Sequence, residues 1–338
     1  MTSNVEETWG VGDKRDLIKR KATGRCTPAA SMGLHDLPPF PIPVDKFIEE
    51  VESDDVSTAA QCCAAFATLA TKVPVPRDFR GACRSVMELV ERTGNGFGRA
   101  TKESASAAMA ALLACVPGAD KHMVQRGVVG KLVAIAVADE EDGEGDETPA
   151  AADGTSGTTR RGGVNGMGSL TLNALECIRI LAASEHGVSE LMKNDEAMDF
   201  ATRRCDSGDA RIAECACDVL CALASHGVAH RTRVKDVGGV GALARALARH
   251  GGADEEVALR ALLGLAMTCA QDAAAQAELV RVDGAVPALL AAQRSGRDAA
   301  CGISKDLWGS IGKNQTLKKA AMEALRADVE RARLVESA

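Results

Sequence analysis

The stretch ADEEVALRALLGLAMTCAQDAAAQAELVRVDGAVPALLAAQRSG (253–296) decides the fold. It reads as a long helix rich in alanine and leucine, a short helix, a glycine at Gly284 and a further helix. The Leu265-Ala266 pair near the end of its long helix recurs upstream as Leu223-Ala224, Leu181-Ala182, Leu113-Ala114 and Leu69-Ala70. Leu181, Leu223 and Leu265 are 42 apart, and Leu69 and Leu113 are 44 apart. A helical period of roughly 40–47 residues marks stacked repeats, each burying its apolar side against its neighbours. A sixth occurrence is degenerate. In ISKDLWGSIGK (303–313), Ile311 takes the place of the leucine, 46 beyond Leu265.

Composition agrees. Of 338 residues 46% are hydrophobic, many of them alanine, while aromatics are 2% and tyrosine is absent. Alanine is the strongest helix former, so an all-helical chain is expected. A net charge of −7 with few aromatics supplies neither the cationic field that phosphates need nor the rings on which bases stack, so nucleic acid is not the expected partner. No apolar run approaches the roughly 20 residues that cross a bilayer. The start, MTSNVEETWG, carries two early glutamates and no apolar core, unlike a secretory signal. A cytoplasmic protein is expected, with nuclear entry as a further expectation. Twelve cysteines are many. Cys62, Cys63, Cys177, Cys217, Cys221 and Cys269 lie inside alanine-rich helical runs, where a thiol behaves as a small apolar core residue.

Outside the cycles, residues 1–43 read as a disordered tail. It holds a basic cluster, KRDLIKRKATGR (14–25), of the composition that nuclear-import and anionic-surface patches share. The proline-dense LPPFPIPVDKF (37–47) leads from it into the first helix. From 44 to 338 the chain reads as one repeat body with a single interruption. Leu113 and Leu181 are 68 apart, 26 more than the period. The surplus is DEEDGEGDETPAAADGTSGTTRRGGVNGMG (139–168), acidic and then rich in Gly, Ser and Thr. With almost no apolar content it is expected to stay a disordered loop. At the far end, TLKKAAMEALRADVERARL puts Leu317, Ala321, Leu325 and Val329 on one helix face. That stripe is expected to cap the stack.

The cycle 253–296 resembles the armadillo repeat family. That family's pattern is a long third helix ending in A-L-x-x-L-A, a short first helix, a glycine, and a second helix of the form G-A-V-P-x-L-L. Gly239 and Gly127 take the place of Gly284 in VGGVGALARALARH and RGVVGKLVAIA, and Asn194-Asp195 take it in the third unit. Such turns call for positive φ, which glycine and, less readily, asparagine supply. The resemblance covers about 44–320 and implies an all-α fold: a right-handed superhelical α-solenoid of about six armadillo-like repeats. It also implies a concave groove lined by the third helices.

Peptide-binding members of the family carry an asparagine just before the terminal Leu-Ala. Here that position holds Thr68, Leu112, Ile180, Ala222 and Gly264, none with a side-chain amide. One turn earlier come Glu176, Asp218 and Arg260, again 42 apart, with Asp306 in the sixth unit and Glu214 and Glu256 a further turn back. These six are the candidate partner-binding residues. A mostly acidic groove attracts a partner segment bearing Lys or Arg.

No catalytic or cofactor pattern is evident. DEEDGEGDE lacks the D-x-[DN]-x-[DN]-G spacing of a calcium loop. Cys215, Cys217 and Cys221 lie near His226 and His230, but only Cys217 and Cys221 share a helix face, and four convergent ligands are needed for zinc. GNGFG (94–98) and GGVG (238–241) neither follow a strand nor end in GK[ST]. The expected function is a non-catalytic protein-interaction scaffold or adaptor without metal or cofactor. The alternative is a regulatory factor of a chaperone, ligase or phosphatase complex, for example an armadillo-type nucleotide-exchange factor.

Overall fold

The computed structural model describes residues 40–93, 98–143, 167–294 and 298–336. Among the described residues every regular element is a helix. The chain divides into two compact units between Ile180 and Leu181. The N-terminal unit contains α1 (Val44–Glu52), α2 (Val56–Ala70), a 3-10 turn (Arg77–Gly81), α3 (Ala82–Thr93), α4 (Arg99–Cys115), α5 (Ala119–Val124), α6 (Val128–Gly143) and most of α7 (Met167–Ala182). The C-terminal unit contains α8 (Glu185–Leu191), α9 (Asp195–Arg204), α10 (Ala210–Ser225), α11 (Val228–Asp236), α12 (Gly239–His250), α13 (Glu255–Cys269), α14 (Ala273–Arg281), α15 (Ala285–Ala292), α16 (Asp298–Gly312) and α17 (Gln315–Glu336). Two shorter helices and a long one thus repeat as α8–α9–α10, α11–α12–α13 and α14–α15–α16. Long helix packs on long helix, α10 on α13 and α13 on α16, and α2 on α4 in the N-terminal unit.

Local chemistry sets the helix starts. Asp209, Asp254 and Asp272 each accept two backbone N–H bonds at the heads of α10, α13 and α14, filling donors a helix leaves open. Gly127 and Gly284 have φ of 70° and 77°, as the resemblance implies. In the fourth unit it is Gly238, not Gly239, that turns, with φ 76°. Gly239 begins α12, where a Cβ would stand 2.6 Å from the Val234 carbonyl oxygen. Asn194 does not adopt positive φ. At φ −103° it caps α9 instead, its side chain accepting from the Ala197 N–H at 2.9 Å.

The 42-residue marker is not the structural period throughout. Asp209 and Asp254 cap successive long helices 45 apart, and Gly238 and Gly284 precede successive second helices 46 apart. Leu265 therefore stands one turn earlier in α13 than Leu223 does in α10. Farther on, Asp272 and Asn314 cap α14 and α17 42 apart. That spacing assigns the leucine position of the sixth unit to buried Leu307, seven residues before Asn314, rather than to Ile311.

The core follows the marker. Leu181, Leu223 and Leu265 are fully buried, as are Cys63, Cys177, Cys217 and Cys269, with Cys62 and Cys221 nearly so. Burial pushes the Cys63 and Cys269 thiols up to about 12. The Leu69 member of the series is only half-buried. The N-terminal unit closes on four phenylalanines. Phe47, Phe66 and Phe79 are buried, and Phe40 packs edge-on against Phe66 and Phe79, centroids 5.6 and 5.2 Å apart. The expected tail to residue 43 is thus too long, because Phe40 belongs to the folded body; residues 1–39 lie outside the described residues. The expected loop 139–168 is too long at both ends. Helix α6 runs through 139–143 and α7 begins at Met167, Glu140 and Glu141 being good helix formers even though acidic charge at a helix C-terminus is not favoured. Residues 144–166 lie outside the described residues. At the other end α17 packs on α14, α15 and α16. It buries Leu317 and Ala321 but leaves Leu325 half-buried and Val329 45% exposed.

Candidate interaction face

The long helices α10, α13 and α16 of the C-terminal unit are held in place by side chains from their neighbours. Arg249 of α12 donates to the Asp206 carbonyl at 2.5 Å, and buried His250 pairs with the Ser207 carbonyl at 2.8 Å, pinning the loop before α10. Gln276 of α14 donates to the Cys269 carbonyl at 3.0 Å and to Ser310 Oγ at 2.8 Å, tying the end of α13 to α16. Lys235 of α11 pairs with Asp272, which holds the Asp272 carboxyl below its ordinary range. The long helices differ in what they leave to solvent. On α10 it is Arg211 and half-buried Glu214. On α13 it is only the first turn, with Glu255 exposed and Glu256 half-buried before an all-round buried run from Val257 to Leu265. On α16 it is a stripe of Lys305, Asp306, Gly302 and Gly309, with Trp308 half-buried beside them.

The expected acidic ladder is altered. Glu176 lies in the N-terminal unit and pairs with Arg179 of its own helix at 2.6 Å. Asp218 and Arg260 do not occupy equivalent rungs, because of the one-turn offset between α10 and α13. Instead they meet, with Arg260 Nη1 3.1 Å from Asp218 Oδ1 and side chains 8% and 15% exposed. Two charges in such a place neutralise one another and lend little to the outside field. Glu214 and Glu256 stay half-buried and Asp306 stays exposed. The candidate face therefore rests on these three carboxylates. The Asp caps at 209 and 254, visible in the sequence, were the signal that gives the true register.

The asparagine-equivalent positions are also placed. Leu112, Ala222 and Gly264 are buried, so they are packing positions with no reach toward a ligand. Among the described residues no cluster of three or more His, Cys, Asp or Glu is arranged to hold a metal. Cys215 is buried as well, and the Cys217 thiol is pushed up first by its hydrogen bond with Cys205 and then by burial.

The Asp218–Arg260 contact yields an expected outcome. Asp218→Ala strands the Arg260 guanidinium, whose Nε already lacks a hydrogen bond, and should cost about 2–3 kcal/mol in chemical denaturation. Changing both residues to leucine should cost less than either single change. Equal losses from Asp218→Ala and from a surface control such as Asp306→Ala would mean that the pair contributes nothing.

No family model matches the sequence, and no curated protein does. Solved structures do match by shape. An engineered protein superposes with a TM-score of 0.60 at 16% identity, covering 81% of this chain and 100% of its own. The designed armadillo repeat protein YIII(Dq)4CqI gives 0.58 at 16%, covering 84% and 100%. The designed armadillo repeat protein YIII(Dq.V1)4CPAF, solved in complex with the peptide (KR)4, gives 0.58 at 14%, covering 80% and 99%. At such identity the likeness is one of fold: all-α, built from armadillo-like repeats.

Proposed function

We propose that this chain is a non-catalytic protein-interaction scaffold that holds a basic segment of a partner protein along α10, α13 and α16. The observation that carries it is the succession of long helices packed side by side, with carboxylates left exposed or half-buried toward the heads of α10 and α13 and on the open stripe of α16. Glu214, Glu256 and Asp306 are the carboxylates placed on that face. A similarly built designed protein holds the basic peptide (KR)4, which makes that peptide a suitable probe.

Labelled (KR)4 titrated with the full chain should bind, and Glu214→Lys, Glu256→Lys and Asp306→Lys combined should weaken it about tenfold or more. Binding should fall as salt shrinks the Debye length from about 10 Å at 0.1 M to about 3 Å at 1 M. An affinity indifferent to both salt and the triple change sinks the acidic-face reading. Asp218→Lys is unsuitable here, because it places two cations together in the packed interface and disturbs folding.

A further inference from the structure

Helix α17, the last of the described helices, does not have a uniformly polar outer side. Among the described residues four large apolar side chains are well exposed, and three lie on α17: Met322 at 38%, Val329 at 45% and Leu334 at 69%. Its inner side is satisfied by Leu317 and Ala321 against the preceding helices. A second stripe runs off that inner side. Lys318, Met322, Arg326, Val329 and Arg333 stand at i, i+4, i+8, i+11 and i+15, inside an arc of about 80° on a helix of 3.6 residues per turn. All five are exposed, and half-buried Leu325 flanks them. The helix is anchored from behind by Arg331, which bonds Asp283 at 2.8 Å between α14 and α15.

From this we infer that the outer face of α17 is a second docking surface, taking an acidic amphipathic helix of a partner protein. Met322, Leu325 and Val329 form the apolar seam. Arg326 and Arg333 run along one edge of it and Lys318 continues its N-terminal end, and these three cations pair with carboxylates of the partner. Charge selects this occupant. A second copy of the chain would bring the same three cations against themselves. An anionic membrane suits the face poorly: Glu323 and Glu330 border it, the apolar seam is two turns long, and the chain carries −7 overall. A helix lying in a bilayer surface needs a broad apolar side edged by cations.

The test uses the full chain and a labelled three-heptad peptide with leucine at a and d and glutamate at e and g. A matched peptide with lysine at e and g is the control. Fluorescence anisotropy should show saturable binding of the acidic peptide and binding at least about tenfold weaker for the basic one. Met322→Glu with Val329→Glu, and separately Arg326→Glu with Arg333→Glu, should each weaken the acidic peptide about tenfold or more. All four positions are exposed, so the circular dichroism melt should not move. Absence of saturable binding, equal affinity for the two peptides, or indifference to both variants overturns the proposal. So does a dimer in sedimentation that Met322→Glu dissolves, which gives the face to a second copy. Cosedimentation with phosphatidylserine vesicles that the same variants abolish, without peptide binding, gives it to a membrane.

Discussion

Phe66→Ala is expected to destabilise the N-terminal unit by about 3–5 kcal/mol, the usual loss for truncating a fully enclosed aromatic. Phe66 is the hub of the aromatic group. Its ring centroid lies 4.8 Å from that of Phe47, 5.3 Å from Phe79 and 5.6 Å from Phe40. Removing it takes away three ring contacts at once, each worth a fraction of a kcal/mol beyond burial. It also opens a void bounded by α1, the 3-10 turn and the segment before α1, which carry Phe47, Phe79 and Phe40. Stability in repeat arrays is a sum of local and nearest-neighbour terms. Hydrogen exchange should therefore quicken in α1–α3 well before α13–α16. Uniform acceleration across both units, or a loss below about 1 kcal/mol, would contradict this account.

Leu223→Ala should rank second, at about 2–5 kcal/mol. The side chain has no solvent exposure and sits in α10, which packs on both α9 and α13. Leu69→Ala is the internal comparison. It belongs to the same Leu-Ala series but is half-buried, so its cost should be smaller. Urea denaturation of the two variants side by side decides the point. Equal costs would mean that burial at these positions does not govern stability.

Much of this was legible in the residues. The recurrence of Leu-Ala showed a stacked helical repeat of roughly 40–47 residues, alanine richness fixed the helix type, and cysteines inside apolar runs were correctly core. Gly127 and Gly284 turn where a glycine was expected. The misses share a cause. A marker counted at 42 treats every cycle as equally long, yet the caps Asp209 and Asp254 are 45 apart, so Leu223 stands 14 residues past its cap and Leu265 only 11. One turn of slip was enough to convert Asp218 and Arg260 from two rungs of a ladder into a pair. Side-chain pairing across helices depends on a turn's worth of register, which hydrophobic periodicity does not resolve. Gly238 and Gly239 show the same limit at one residue: both must be glycine, one for its φ and the other for its closeness to Val234. The outer stripe of α17 was visible only in part. The sequence showed apolar residues at the right spacing for a cap, but not that the covered side would stop at Ala321.

The place of Trp308 has an optical consequence. The chain has no tyrosine and two tryptophans, Trp9 and Trp308, and Trp308 sits half-buried in α16. Intrinsic emission of a Trp9→Phe chain is therefore a single-site reporter on α16. It will follow melting of the final cycle and stay silent when the phenylalanine-lined core of the N-terminal unit opens. A denaturation curve recorded by fluorescence and one recorded by circular dichroism report on different parts of this protein. Their separation measures how independently the last cycle and the rest of the chain unfold.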